Sequence, residues 1–516
     1  MYERFFHVKA KCIVGGLWVV WLLTATGCAV GPDFVRPQPP ETDRYIPGKQ
    51  LQETVSVDDQ IQYFEYGAEI AADWWQLFKS PKLDALVKEA ITNNSTLQAA
   101  QAALQQSQDN LRAGYGTFYP QIDLTGGVSR QKFSTARFGI PASAVFNLYT
   151  LSATVSYTLD VFGGQRRTVE SLSAKRDMQR YTVLATYLTL IGNIVNTVIA
   201  RAAYEAQIQT TQQLIESQQA QIKLTEFQLQ AGIITYESLV NLRTQLEVLE
   251  ASLPLLKQKY SQAEHLLATL IGQLPGEREL PRIDLADLSL PTNLPLTLPS
   301  SLVRQRPDIL LAEAQLHENS ANIGIATAAM FPSFTLSGTY GQNNRNLLDI
   351  FLSSGNFWSI GTNFVAPLFR GGILWFQRKA AIDAYEQSRA QYRQTILDAL
   401  GQVADVLLAL KYDAEALQHQ SQELNLVQER MQLIQTNYQA GLVNYQQVLI
   451  TQSQYFQSKL NYLQTLALRF QDTAALFVAL GGGWWNFEEK KLSSRDSEIL
   501  FDVQLLEETG KVKMEH

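Results

Sequence analysis

Metal-binding and redox side chains are scarce in this chain, with two cysteines, five histidines and five methionines among 516 residues. His265, His317 and His419 have no His or Cys partner at metal-site spacing, so each is expected to be an isolated helix-surface residue. Charge is thin, at 18% of residues with a net of -7, and it lacks the clustered basic surface of a nucleic-acid binder. Gly481-Gly482-Gly483 lacks the Lys-Ser/Thr of a phosphate loop and reads as a helix terminator. No catalytic constellation emerges, so neither an enzyme nor a bound cofactor is expected. Long apolar runs are also missing beyond residue 27, and a body that crosses a membrane would then have to do so as a closed β-barrel. Disorder is excluded by 46% hydrophobic and 10% aromatic content. The length points to several domains or one large elongated architecture.

The first 28 residues carry a sharp signal. Arg4, Lys9 and Lys11 precede an apolar or glycine run from Cys12 to Leu23, and small residues lead to Gly27-Cys28. A basic start, a short apolar core and a small-residue cut describe a signal peptide over 1–27, too short to be a membrane anchor helix. Gly27-Cys28 resembles a bacterial lipobox, with Ala25 where Leu is commoner. Cleavage would leave Cys28 as the first residue, carrying N-acyl and S-diacylglycerol chains. Several buried chains, at about 0.8 kcal/mol per methylene, would hold the protein to a lipid surface. Ala29 in place of Asp resembles sorting to the outer membrane. The mature chain keeps one cysteine and so has no internal disulfide.

The chain repeats itself. Phe118-Tyr119-Pro120-Gln121 matches Met330-Phe331-Pro332-Ser333, Phe162-Gly163-Gly164 matches Arg370-Gly371-Gly372, and Gln230-Ala231-Gly232-Ile233 matches Gln439-Ala440-Gly441-Leu442. Three landmarks in one order at near-constant offset imply a duplication over 75–275 and 300–483. An extended, acylated segment (28–74) precedes it, a Pro-rich linker (276–299) joins the halves, and an acidic-leaning tail (484–516) follows. Each half holds two alternating segments: Gln121–Arg130 and Leu148–Leu159, then Ser333–Gly341 and Phe357–Pro367. Each has about the 9–11 residues of a tilted membrane strand. The implied β-hairpins span 121–160 and 333–369. Four strands with a lipid-facing side cannot close alone, so several chains must share one barrel.

Long helical hairpins are expected over 165–272 and 373–480. Gln165 to Gln230 contains no proline, and 66 helical residues would run on the order of 100 Å. Leu460, Leu463, Ala467, Phe470, Ala474 and Phe477 step by three and four, as do Leu397, Leu400, Ala404 and Leu407. Such steps favour left-handed helix packing. The opposite faces are rich in Gln, Ser, Thr and Asn, which suits helices lining a water-filled passage. Trp74-Trp75 and Trp484-Trp485 read as packing residues first and interfacial aromatics second.

Taken together, Cys28-Ala29-Val30-Gly31-Pro32-Asp33-Phe34, Asp73-Trp74-Trp75, the Tyr-Pro and Phe-Pro strand entries, Arg306-Pro307-Asp308-Ile309 and the Ala-Gly turns resemble the TolC-like outer-membrane efflux lipoproteins. The resemblance covers residues 28 to about 485. It implies a mixed α and β membrane protein: a homotrimer in which each chain gives four strands to a 12-stranded outer-membrane β-barrel and long helices to a periplasmic coiled-coil barrel. It further implies a passive export conduit for small molecules, docked to a periplasmic adaptor and driven by an inner-membrane pump of the resistance-nodulation-division type. The docking tips would be the turns holding Gly232, Thr235 and Tyr236, and Gly441, Asn444 and Tyr445. Relatives ring the closed entrance with aspartates just after the second turn, where this chain has Gln447 and Ile450 and no acid between Tyr438 and Gln471. Glu237 at the first tip is left as a gate candidate or a solvated helix-start charge. Two alternatives stand beside the efflux reading: a type I protein-secretion channel of the same fold, and a non-transporting coiled-coil scaffold lipoprotein.

Overall fold

The computed structural model describes residues 29–486, apart from 43, 49, 59, 135–138, 140–142 and 278. The expected signal peptide, Cys28 and residues 487–516 of the tail lie outside the described residues. The strands are β1 (Tyr63–Tyr66), β2 (Gln121–Ser134), β3 (Ser143–Leu159), β4 (Asn293–Leu296), β5 (Ser333–Asn344) and β6 (Asn356–Val365). The helices are α1 (Pro81–Asn93), α2 (Ser95–Tyr115), α3 (Gly164–Gln230), α4 (Tyr236–Leu270), α5 (Pro299–Gln305), α6 (Pro307–Ala328), α7 (Ile373–Gln439) and α8 (Tyr445–Ala479). They fall into two compact units. One comprises the described residues up to Pro37 with Leu104–Met178 and Ala312–Tyr392; the other takes Gln38–Ala103, Gln179–Leu311 and the chain from Arg393.

The first unit is built on an antiparallel sheet of order β2-β3-β5-β6. Its register is unbroken, from Gln121↔Ser156 to Ser134↔Ser143, from Leu159↔Phe334 to Tyr149↔Asn344, and from Ser333↔Val365 to Gln342↔Asn356. Without a bulge, parity alone assigns every side chain to a face. One face stacks hydroxyls across the strands: Thr125 on Ser152 (3.0 Å), Thr154 on Thr339 (3.1 Å) and Thr158 on Thr335 (3.2 Å). The other carries Ile122, Leu124, Val155, Leu336, Trp358, Ile360 and Phe364, all exposed. The strands run beyond the expected Arg130 and begin before Leu148, because backbone pairing continues past the point where alternation is needed to face a membrane.

The second unit packs around Trp74, which is fully buried and stacks on Phe477 at 5.1 Å. Trp75 is buried too, and its indole donates to Asp84 (3.1 Å), so this pair is core and not interfacial. The stretch expected as a Pro-rich linker holds β4, which pairs in parallel with β1 and brings Tyr63 opposite Asn293. The seam on α7 also differs from the expected one. Leu397 is 64% exposed, whereas Ile396, Ala399, Val403, Leu407, Leu410, Ala414 and Leu417 form the buried stripe. The two stripes meet at Leu407, which is buried as expected, while Leu400 and Ala404 are half-buried and the core face lies one position round the helix from the expected one. Among the described residues one helix, α3, is long and apolar enough by composition to cross a membrane, where no further apolar run of that length was expected. Its Ile191, Ile194, Val195 and Ile199 are instead buried in the protein.

Candidate functional site

The two helix reversals are built alike. After α3, Ile233 N–H donates to Gln228 O and Gly232 N–H to Leu229 O, both at 2.9 Å; after α7, Leu442 N–H donates to Asn437 O (2.9 Å) and Gly441 N–H to Tyr438 O (3.0 Å). This double bond pattern needs a left-handed residue, and Gly232 (φ 72°) and Gly441 (φ 71°) supply it. Each return helix then starts on a side-chain cap. Thr235 Oγ1 accepts from Ser238 N–H (3.4 Å), and Asn444 Oδ1 accepts from Gln447 N–H (3.0 Å). Tyr236 and Tyr445 are exposed, and Tyr445 lies against Tyr438 at 5.4 Å.

Among the gate candidates, Glu237 sits exposed in the first turn of α4, while Gln447 and Ile450 are half-buried on α8. The ionic contact near the first tip is one the sequence reading missed: Arg243 donates to Glu226 at 2.7 Å. In the second hairpin Arg430 donates to Gln454 Oε1 at 3.0 Å. Higher on the hairpins an open groove of about 390 Å³ has an apolar floor of Leu214, Val248 and Leu249, with the amides of Gln218, Gln245 and Gln454 among its lining residues.

A second feature fixes the start of the described chain. Val30 N–H donates to Phe162 O (3.1 Å). The buried Arg167 donates to the carbonyls of Val30 (3.3 Å) and Gly31 (3.4 Å), to Asp33 Oδ1 (2.6 Å) and to Glu170 Oε2 (2.7 Å). Glu170 Oε1 lies 3.0 Å from His317 Nε2, and the His317 ring stacks on Phe34 at 4.3 Å. His317 is therefore a half-buried network residue, not the isolated surface residue expected. Its bond to Glu170 is the largest influence on that carboxyl; with Arg167 it outweighs burial and holds the group below the usual range. His265 and His419 are exposed, as expected.

A third polar cluster ties residues 54–62 to the helices of the second unit. Buried Arg469 donates to Gln62 Oε1 (3.0 Å) and Thr54 Oγ1 (3.3 Å), and Asp58 accepts from Ser421 (2.5 Å) and Tyr462 (2.8 Å). Burial first, and then the neighbouring Asp472 carboxyl, pushes Asp413 up to about 7. The signal for this cluster was an arginine inside an apolar seam, between Ala467 and Phe470. Among the described residues no group of three or more His, Cys, Asp or Glu could hold a metal ion.

A four-stranded sheet with one apolar and one hydroxyl face, coupled to paired 67- and 35-residue helices, defines an outer-membrane channel protein. The family model described as "Outer membrane efflux protein" matches residues 86–273 and 298–482, and the chain belongs to that family. It is 30% identical over 341 residues to the pyoverdine export outer membrane protein OpmQ of Pseudomonas putida, covering 65% of this chain and 72% of that protein. The probable outer membrane lipoprotein SilC of Salmonella typhimurium is 26% identical over 391 residues, 74% of this chain and 79% of that protein. Among solved structures, the outer-membrane channel OprN matches with a TM-score of 0.76 at 24% identity, over 89% of this chain and all of that one. The chain is an outer-membrane efflux component.

Proposed function

We propose that three copies of this chain close one 12-stranded barrel and form a passive export conduit. The observation that carries the reading is the sheet: β2 and β6 are edges with unpaired backbone groups, and the outward face is apolar. In lipid an open edge leaves N–H and C=O groups unsatisfied at several kcal/mol each, so β2 of one copy pairs with β6 of the next. The hydroxyl face then lines the lumen. The tips after α3 and α7, through Tyr236 and Tyr445, dock a periplasmic adaptor, and an inner-membrane pump supplies the energy. The conduit performs no chemistry and carries small toxic molecules that the pump selects.

Cys28 carries the lipid anchor; the clamp that Arg167 places on Val30 and Gly31 supports this, because it holds the following residues beside the end of β3. Labelled palmitate should enter the wild type and not Cys28→Ser; label in the variant would refute the anchor. Single-channel conductance of the purified protein in planar bilayers, with oligomer mass read from the same sample, tests the conduit. Discrete openings from a trimer are expected. A monomer without current would overturn it in favour of a periplasmic scaffold.

A further inference from the structure

We propose that Arg130 and Lys132 on β2 bind the phosphates of an outer-leaflet glycolipid. The inference rests on the barrel reading above and goes beyond it, from a spanning sheet to a lipid site at a defined height. Strand parity puts Ile122, Leu124, Val128, Arg130 and Lys132 on one face of β2, the same face as Tyr149 and Leu159 of β3. On β3 the outward series runs from Leu159 to Tyr149, both on the apolar face. Ten residues at about 3.4 Å, tilted about 40°, stand roughly 26 Å tall, which is the height of the apolar band of such barrels. The rung Val128↔Tyr149 is therefore the last in hydrocarbon, and the next outward positions on β2 are Arg130, opposite Asn147, and Lys132, opposite Val145. They lie at the β2–β3 turn end, away from the helices, so this level is the extracellular headgroup layer.

Three observations choose a phosphate as the occupant. Both side chains are exposed, and neither has a hydrogen-bond or ion-pair partner among the described residues. The outward face of all four strands carries no Asp or Glu; the one acid on the strands, Asp123, lies on the hydroxyl face. Finally, the two cations are two residues apart on one strand, about 7 Å, so a single phosphorylated headgroup can meet both. A guanidinium takes a phosphate through paired N–H donors, and an ammonium meets it as a point charge. An uncompensated cation pair at headgroup height is complementary to a phosphorylated lipid, and no acid on this face competes for it.

Native mass spectrometry of the full-length acylated protein tests the site, with bisphosphorylated lipid A as the probe and its phosphate-free form as the control. Wild type should retain the phosphorylated lipid preferentially. Arg130→Gln/Lys132→Gln should weaken retention by about 25-fold, about 5-fold for each cation. The charge-conserving Arg130→Lys/Lys132→Arg variant should keep it, and inorganic phosphate in excess should not displace it, because the acyl chains contribute to binding. Oligomer mass and conductance are read on every sample. A conducting trimer with equal retention in wild type and the double Gln variant, or equal retention of the phosphate-free lipid, overturns the site alone. A non-conducting monomer overturns the barrel and the site with it.

Discussion

Arg306→Met should loosen the C-terminus of α8. The guanidinium is 9% exposed and makes four bonds: Nε to Asp308 Oδ1 (3.0 Å), Nη2 to Asp308 Oδ2 (2.6 Å), Nη1 to Ala479 O (2.7 Å) and Nη2 to Gln402 Oε1 (2.9 Å). Ala479 is the last residue of α8, so its carbonyl has no acceptor role inside the helix, and the arginine satisfies it while also meeting the negative end of the helix dipole. Methionine fills much of the volume and supplies no donor. Breaking a buried charge pair costs about 3–5 kcal/mol, and Asp308, at 43% side-chain exposure, recovers water and brings the figure toward the lower end, about 3 kcal/mol. The loss is local, and the readout is hydrogen exchange of the amides of Leu480, Gly481 and Gly482, which bond to Leu476, Val478 and Phe477. At about 1.4 kcal/mol per factor of ten, exchange there should quicken by about 10²-fold, with α1 unchanged. Arg306→Lys keeps one donor and loses the fork, so it should fall between. Protection within about three-fold of wild type in the methionine variant would show that water replaces the guanidinium, and the argument would fail.

Asp413→Asn should flatten part of the pH dependence of helix stability. With Asp413 raised from 3.8 to about 7, the native state holds this proton more tightly than the unfolded chain does, so its contribution is complete below about pH 4 and is lost as pH rises through 7. Urea unfolding at pH 5 and pH 8 should therefore show a decline in wild type that the variant lacks in part; equal declines would remove Asp413 from the account. Asn444→Ala should cost about 1 kcal/mol at the second tip by deleting the 3.0 Å cap to Gln447 N–H, read as faster exchange over the first turn of α8. No change in those amides would mean that the cap is already open in solution.

The repeats were readable because each landmark answers a local demand. A Tyr-Pro or Phe-Pro before a strand, a Gly-Gly after one and an Ala-Gly at a helix reversal restrict the backbone wherever they stand, so their recurrence survived in the sequence. The hydroxyl and apolar faces were equally legible, since parity needs only the strand itself. What could not be read depends on distance along the chain. Nothing local announces that Asp58 meets Tyr462, that β1 pairs with β4, or that His317 is claimed by Glu170 and Phe34. The α7 seam failed for a different reason. Apolar residues occur on two faces of that helix, and spacing alone does not say which faces the core until Ile396 and Val403 are seen to be covered and Leu397 is not.

The duplicated joint between strand and helix shows how the two halves parted. In the first, Asp160 accepts from the backbone N–H groups of Gln165 (2.9 Å) and Arg166 (3.0 Å), so a side chain satisfies the start of α3. Gly163, at φ 76°, leaves no room for a Cβ, which would stand 2.6 Å from Ala29. In the second joint the place of Asp160 is taken by Leu368, 96% exposed beside Phe369 at 89%, and nothing lies within 4 Å of a Cβ on Gly371. Both joints sit at the same end of the sheet, where the strands leave the apolar band, and exposed Leu and Phe there are at home against the inner leaflet. The start of the described chain can therefore dock on the first half and not on the second. It needs the slot beside Gly163 and the cation of Arg167, and the residue that matches Arg167 at the joint's offset of 208 is Trp375, which is exposed and offers no charge for Asp33. The two joints repeat one backbone plan, but only the first carries the carboxylate of Asp160 and the cation of Arg167, so it alone offers a place for residues 29–33.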